Sequence, residues 1–224
     1  MLRMNTGKRE VWEEFYSGLG QMPERLKRPV PFVVEALPFF RARSVRAVLD
    51  LGCGVGRHSV YLATRGFDVV GVDASRNALM MAKAWSKAEV GVDVKLLRAS
   101  MTDLPFVGGC FEAVVSVSVV HHAVKDDVER TVGEIYRVLK DRGIFLANLL
   151  SIEDYRCGLG EEVEEGTFRV LEDFEERQFE ELHHFSSEDE ALDLLVRFSN
   201  VRLEPVQTGK KEQLHCYWKV TAIK

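Results

Sequence analysis

Residues Val48–Arg57 read VLDLGCGVGR, an apolar run that leads into glycines at three alternate positions. The run Val45–Leu51 predicts a buried strand, and the apolar spacing in Arg57–Arg65 predicts a helix directly after it. Glycines between the two elements permit positive φ angles and let a ligand approach without a Cβ in the way. We therefore expect bare backbone here that binds a nucleotide-like ligand.

The spacing of the glycines selects among nucleotides. A dinucleotide-binding loop has the pattern G-x-G-x-x-G, whereas the sixth position counted from Gly52 is Arg57. A G-x-x-x-x-G-K-[ST] phosphate loop is also missing from the sequence. Asp50, two residues before the first glycine, suits a cationic ammonium or an ordered water better than a phosphate. The loop therefore disfavours an NAD-dependent oxidoreductase.

A second acidic residue follows the next predicted strand. Phe67–Val72 is apolar and rich in β-branched residues. Asp73 comes about twenty residues after the glycine loop, where a carboxylate can accept hydrogen bonds from both hydroxyls of a ribose. An isolated Asp at such a place often only caps a helix. Here Ser75 is the predicted N-cap of a helix that runs to Lys87.

The same alternation continues along the chain and predicts a parallel sheet with crossover helices. Val92–Arg98, Phe111–Val119 and Gly143–Leu150 are the third, fourth and fifth predicted strands. A helix from about Asp126 to Lys140 lies between the last two, with apolar residues three and four apart.

Four regions are predicted within a single domain. Residues 1–44 form a helical cap and residues 45–150 the nucleotide-binding core. Residues 151–185 are an acidic insertion that could fold over the site as a lid, and residues 186–224 supply a helix and two strands that complete the sheet.

Composition excludes several classes of protein. The chain has 224 residues and a formal net charge of −5, which offers no electrostatic surface for nucleic acid. Its apolar stretches are too short to span a membrane, and the first residues do not resemble a secretory signal. The four cysteines are far apart in sequence, so reduced thiols in the cytoplasm are expected.

Three further motifs resemble the class I S-adenosylmethionine (SAM)-dependent methyltransferases. Ser100–Phe106 is similar to that family's D-[AM]-x-x-L-P-F, with Ser100 in place of Asp. Phe111–His122 resembles its fourth-strand segment, with Glu112 for Asp, and Glu134–Gly143 resembles E-x-x-R-V-L-K-P-G-G. The resemblance covers about residues 45–150 and is nearest to the small-molecule branch with the tellurite-resistance and ubiquinone/menaquinone-type enzymes.

The resemblance implies a Rossmann-like α/β fold: a seven-stranded, mostly parallel sheet with the last strand antiparallel and helices on both faces. It implies SAM as cofactor and S-adenosylhomocysteine (SAH) as product. The cofactor-binding residues that we predict are Tyr16, Asp50, Gly52, Cys53, Gly54, Gly56, Asp73, Ala74, Ser100, Met101 and Ser116.

Histidines are the candidate catalytic residues. His121 and His122 follow the fourth strand, at the sheet edge where ligands bind in such folds, and His184 lies in the insertion. Packing within the core is the alternative for each. Adjacent histidines on an extended strand point to opposite faces. The pairs His121–His122 and His183–His184 therefore offer at most one metal ligand each, and no metal site is expected.

The predicted function is transfer of a methyl group to a small-molecule acceptor. Trp12 and Tyr16, four residues apart on the first helix, share a face that could cover the sulfonium or could simply pack. The alternative function is a non-catalytic SAM-binding sensor or an activating subunit of another methyltransferase. We expect no nucleic-acid or membrane partner, and a monomer or homodimer.

Overall fold

The computed structural model describes residues 6–19, 22–174 and 177–224. Residues 1–5, 20 and 21 of the predicted helical cap and residues 175 and 176 of the predicted insertion lie outside the described residues. Among the described helices, none is long and apolar enough to cross a membrane.

Helices precede the sheet, cover it, and follow its central strands. Two of the early helices have a proline in the first turn, Pro31 and Pro38, where its missing N–H would have no partner. The helices are α1 (Thr6–Ser17), α2 (Pro31–Glu35), α3 (Leu37–Ala42), α4 (Arg57–Ala63), α5 (Arg76–Trp85), α6 (Lys125–Val138) and α7 (Glu188–Leu194), with a 3-10 turn at Glu24–Lys27 and a π turn at Ser86–Val90.

Ten strands are formed by the described residues. They are β1 (Ala47–Leu51), β2 (Asp68–Asp73), β3 (Lys95–Arg98), β4 (Phe111–Ser116), β5 (Leu139–Ser151), β6 (Glu161–Glu164), β7 (Thr167–Phe174), β8 (Arg177–Ser186), β9 (Ser199–Lys210) and β10 (Gln213–Ile223). The strands β3-β2-β1-β4-β5 are parallel and adjacent in that order. Strand β10 pairs antiparallel with β5, and β9 pairs antiparallel with β10.

The Rossmann-like α/β class is confirmed, but the predicted number of strands, seven, is too low. Strand β5 extends beyond β4, and its last residues pair in parallel with β8 through Leu150–Phe185 and Ser151–Ser186. The insertion thereby continues the sheet as β8, β7 and β6.

Apolar side chains cover both faces of the central strands, as a parallel sheet requires. Val48 packs against Phe40 and Leu62 on one face, whereas the next residue, Leu49, belongs to the cluster that contains Val132 on the other. Each such side chain contributes roughly 1.5–3 kcal/mol when fully buried. The core therefore fixes β1, and with it the loop that follows β1.

Two predicted boundaries are corrected by local geometry. The helix expected to reach Lys140 ends at Val138, and the chain turns through Arg142, whose φ is +64°. The fourth strand ends at Ser116 rather than Val119, because the chain turns at Ser118, whose φ is +57°. The predicted N-cap is confirmed, since Ser75 Oγ accepts from the Ala78 amide at 3.1 Å.

Glu112 links the starts of three strands. Its carboxylate accepts from the Arg46 and Ala47 amides at 2.7 Å and pairs with Lys140 Nζ at 2.8 Å. Partial burial acts to raise the pKa of Glu112, but Lys140 and the two amides outweigh it and lower the pKa to about 2. The ionised form is therefore preferred in the folded protein.

Replacing Glu112 by Gln should destabilise the fold by about 1–2 kcal/mol, because charge-assisted hydrogen bonds are lost. The folded-state pKa lies below the ordinary value of 4.5, so this stabilisation is present above about pH 4.5 and disappears as the pH falls toward 2. Urea denaturation at pH 7 and pH 3 measures the effect. The exposed neighbour Asp141→Asn is the control, and equal stabilities of the two variants at pH 7 would contradict the assignment.

Candidate cofactor and acceptor site

The loop between β1 and α4 has the backbone that its glycines predict. Gly52, Gly54 and Gly56 have φ angles of +68°, +53° and +87°. A non-glycine residue at any of them is strained, because a Cβ collides with its own backbone in the left-handed region. The Cys53 amide donates to Val72 O at 2.9 Å, which holds the loop against β2.

Side chains rest directly on this loop, so the expectation of bare backbone is wrong. A Cβ added at Gly52 would lie 2.1 Å from Val119 Cγ2, and one at Gly54 would lie 2.7 Å from Tyr16 Oη. At Gly56 the contact would be Ala82 at 3.2 Å, because α5 packs closely there. Val119 and Tyr16 thus leave no room for a Cβ, and we call Gly52, Gly54 and Gly56 the glycine cradle. A contact of Tyr16 with the cofactor stays a prediction.

Asp50 is buried below the loop. Its Oδ2 accepts from Ser59 Oγ at 2.5 Å, which ties β1 to α4. Burial raises the pKa of Asp50 to about 6, although hydrogen bonds from Ser59 and the charge of Arg57 lower it in part. A direct contact of Asp50 with the cofactor stays a prediction.

Asp73 lies at the end of β2, beside the loop. Its Oδ2 accepts from the Gly54 amide and its Oδ1 from the Ser75 amide, both at 2.8 Å. A carboxylate has about four acceptor positions, so two remain for hydroxyl donors. Burial raises the pKa of Asp73, and the backbone hydrogen bonds lower it in part.

The remaining predicted cofactor residues lie along the same edge of the sheet. Ala74 follows Asp73, and its carbonyl accepts from Arg98 Nε at 2.9 Å. Ser100 is exposed after β3, with its Oγ 2.9 Å from Thr102 Oγ1, and Met101 packs on the core. Ser116 ends β4, where it is buried and donates to Leu51 O at 3.3 Å.

Helix α1, part of the predicted helical cap, lies across this edge. Glu13 Oε2 accepts from Ser75 Oγ at 2.8 Å and from the Arg76 amide at 2.7 Å, at the N-terminus of α5. A carboxylate is favoured there by the helix dipole. On its other side, Arg177 of β8 donates to Phe15 O at 2.9 Å. Helix α1 is therefore held between the core and the insertion.

Three histidine rings come together under α1. The ring centroids of His121 and His122 are 4.5 Å apart, and those of His122 and His183 are 5.0 Å apart. Trp12 lies edge-on to His122 at 5.3 Å. Glu181 completes the group, with its carboxylate oxygens 3.2 Å from His122 Nδ1 and 3.0 Å from His183 Nε2.

Burial controls the ionisation of this group. It lowers the pKa of His122 and of His183 to about 4, against the opposing charge of a nearby Glu in each case. It lowers the pKa of His121 well below its ordinary value, and the neighbouring His122 adds to that effect. The imidazoles are therefore neutral near pH 7. Burial raises the pKa of Glu181 to about 7, although His122 acts to lower it.

The predicted catalytic histidines are divided between two places. His184 Nδ1 is 2.8 Å from Thr167 Oγ1, and its Nε2 is 3.4 Å from Glu190. It thus points to the opposite face of β8 from His183, and only its backbone meets the group, through an amide that donates to His121 O at 2.8 Å. A catalytic role for His184 stays a prediction.

Glu13 and Glu181 were not selected from the sequence, and His183 was considered only as half of an adjacent His pair. A signal existed for two of them: Glu181 and His183 are two residues apart on a strand, which places them on one face. Glu13 carried no comparable signal, because its partners are more than sixty residues away in sequence.

The part of the chain that forms this edge of the sheet is similar to known proteins. Residues 49–147 match the family model of the methyltransferase domain. These residues run from β1 to β5 and contain the glycine cradle and Asp73.

This domain belongs to the class I methyltransferases. SAM is accordingly its cofactor. The glycine backbone and the partly buried Asp73 carboxylate at the end of β2 are groups that fit SAM, and Val119 and Tyr16 are the side chains that would have to move off the glycines to admit it. The resemblance inferred from the motifs is thus confirmed.

Relatives with different printed activities share the methyltransferase domain. A glycine/sarcosine N-methyltransferase of Parasynechococcus marenigrum is 38% identical over 112 residues, which are 47% of this chain and 38% of the relative. A demethylmenaquinone methyltransferase of Thermus thermophilus is 33% identical over 119 residues, 52% of this chain and 50% of the relative. The chain thus spans about half the length, or less, of such curated relatives.

The fold extends beyond the methyltransferase domain. Magnesium protoporphyrin IX methyltransferase from Synechocystis, solved with bound SAH, superposes with a TM-score of 0.67 at 16% identity. The match covers 99% of this chain and 100% of that chain. At this identity the similarity concerns the fold alone.

Replacing Gly54 by Ala should lower the affinity for SAH by about tenfold or more, since the added Cβ lies in the cradle. Gly109→Ala is a matched control: its φ is also positive, at +69°, but its Cβ would meet nothing within 4 Å. Both variants should lose about 1–2 kcal/mol of stability from backbone strain. Calorimetric titration with SAH separates them, and equal affinities would contradict the assignment of the cradle.

The contact of Glu13 with α5 should slow the entry of SAM, because α1 covers the cradle through Tyr16. We expect Glu13→Ala to raise the association and dissociation rate constants of SAH severalfold, as measured by stopped-flow fluorescence of the tryptophans. The neighbouring, exposed Glu14→Ala is the control. Unchanged rates in Glu13→Ala would show that α1 does not limit access.

Proposed function

We propose that the protein is a SAM-dependent methyltransferase that acts on a small organic molecule. The observation that carries the proposal is the placement of a buried histidine group and the glycine cradle at the same edge of the sheet, both beneath α1. A protein that only sensed SAM would need the cradle but not a buried polar group beside it. The family of the domain supports the same function.

The cradle and Asp73 would bind two parts of SAM that carry hydrogen-bonding groups. In the proposed arrangement the methionine part lies against Gly52, Gly54 and Gly56, and Asp73 accepts from the ribose hydroxyls. Arg57 is a further candidate that the sequence did not single out. Burial lowers its pKa, and among the described residues it forms no ion pair, so its guanidinium is available for the methionine carboxylate.

The reaction needs little covalent chemistry from the protein. The acceptor's lone pair attacks the methyl carbon while the bond from that carbon to sulfur breaks, so that SAH leaves with the electron pair. Positioning the two reactants in line and excluding water lowers the barrier by several kcal/mol. An acceptor that carries a proton also needs a base, and His122 is the predicted histidine that faces the space beneath α1.

Aromatic side chains of α1 and the insertion enclose the proposed acceptor site. Trp12 and Phe15 of α1 meet Phe179 of β8 at ring-centroid distances of 6.0 and 5.0 Å, and Phe15 meets Phe174 of β7 at 4.9 Å. Such walls favour an apolar or aromatic acceptor with one polar group near His122. The net charge of −5 still argues against nucleic acid as the acceptor.

Binding of SAM tests the proposal directly. SAM and SAH should raise the melting temperature by several degrees, whereas NADH should have no effect. Asp73→Asn should weaken SAH binding at least tenfold, since a charged acceptor is replaced by a neutral one. Asp68→Asn, an exposed position on the same strand, is the control.

Activity then separates an enzyme from a sensor. Incubation with SAM labelled on the methyl group and a small-molecule extract should give a labelled product that is lost in Asp73→Asn. Binding of SAH without any labelled product across such extracts would favour the sensor instead.

A further inference from the structure

His122, Glu181 and His183 bring two imidazoles and a carboxylate into one buried group. One ligand atom from each residue lies within 4.8 Å of the others. His122 comes from the turn after β4, whereas Glu181 and His183 come from the same face of β8. We propose that these three residues bind a divalent first-row transition-metal ion, for which Zn²⁺ serves as the probe, next to the acceptor.

Unsatisfied polar atoms point to a missing cation. His122 Nδ1 and Glu181 Oε2 are 3.2 Å apart, yet neither has a hydrogen-bond partner although both atoms are buried. A buried donor or acceptor without a partner costs about 1–3 kcal/mol. Two facing atoms with lone pairs would both be satisfied by one ion that they share.

The distances suit a metal site. With bonds of about 2.0–2.1 Å, two ligand atoms of a tetrahedral Zn²⁺ are roughly 3.3 Å apart. The separations are 3.2 Å from His122 Nδ1 to Glu181 Oε2 and 3.0 Å from His183 Nε2 to Glu181 Oε1, so each nitrogen faces a different carboxylate oxygen, and one ligand atom from each residue lies within 4.8 Å of the others. Small side-chain movements would therefore be enough for coordination.

A carboxylate lies behind His183. The other ring nitrogen of His183, Nδ1, is 3.5 Å from Glu172 Oε1 without forming a hydrogen bond to it, and that carboxylate pairs with Arg156 at 2.8 Å. Arg156 is in turn held at 2.7 Å by the buried Asp154. Histidine ligands commonly have a carboxylate behind the ring, which fixes the tautomer and directs the free nitrogen to the metal.

Three protein ligands leave at least one coordination position open, as in catalytic rather than structural sites. Trp12 lies edge-on to His122 at 5.3 Å, so the group borders the proposed acceptor site. With the ion bound, His122 would be a ligand rather than the base, and an oxygen, nitrogen or sulfur atom of the acceptor bound to the ion would be favoured in its deprotonated, nucleophilic form. This role rests on the proposed function, whereas binding of the ion does not.

The test uses the full chain, stripped of metal by a chelator and then titrated with Zn²⁺ in a calorimeter and with Co²⁺ in a spectrophotometer. We expect one ion per chain and the visible absorption of a low-coordinate Co²⁺ site. Glu181→Gln and His183→Ala should each weaken binding by about 100-fold or more, beyond the roughly 10–100-fold typical of residues behind the ligands. Glu172→Gln should have a smaller effect.

His215→Ala is the control, since this histidine is partly exposed on β10 and lies outside the group. SAH affinity, measured on the same samples, shows that each variant is folded. Absence of a bound ion in the wild type, or equal affinity in Glu181→Gln and His215→Ala, would overturn the proposal and leave the group as a metal-free proton-transfer site. Failure of SAH to bind would instead refute the proposed function and leave the metal result intact.

Discussion

The hydrogen bond from the Gly54 amide to the Asp73 carboxylate joins the two halves of the cofactor site. It forms only because the loop after β1 passes through left-handed conformations and so turns its amide toward the end of β2. Burial of β1 on both faces keeps the loop from shifting. The position of the cradle, the start of α4 and the place of α1 above it all follow from this short piece of backbone.

The side chains proposed to contact the acceptor lie mostly outside this frame. The parts that enclose the histidine group come from α1 and from β7 and β8, at a distance in sequence from the glycine loop. The methyltransferase domain matches known relatives over residues 49–147, and both enclosing segments lie outside that range. Changes in the insertion are therefore expected to disturb the cradle less than changes in α1, whose Tyr16 lies against Gly54. Relatives that share the domain have different printed activities.

The sequence predicted the structural features that depend on residues close together in the chain. Strand β1, the left-handed loop, the Ser75 cap and the carboxylate at the end of β2 are all set by residues within a few positions of one another. The pairing of β5 with β8 and the contact of Glu13 with α5 were not predictable, because each joins residues that are tens of positions apart. The histidine group lay between these cases: His121 and His122 were identified, but their meeting with Glu181 depends on how the insertion folds back.

The insertion also gives the sheet a new edge. Strand β6 is the last strand on that side, and its four residues, Glu161–Glu164, are all exposed. An open edge presents unpaired amides and carbonyls that can recruit a strand from another molecule. Three of the four side chains are glutamates, so two such edges would repel each other. The acidic composition of this segment thus protects the protein against edge-to-edge aggregation.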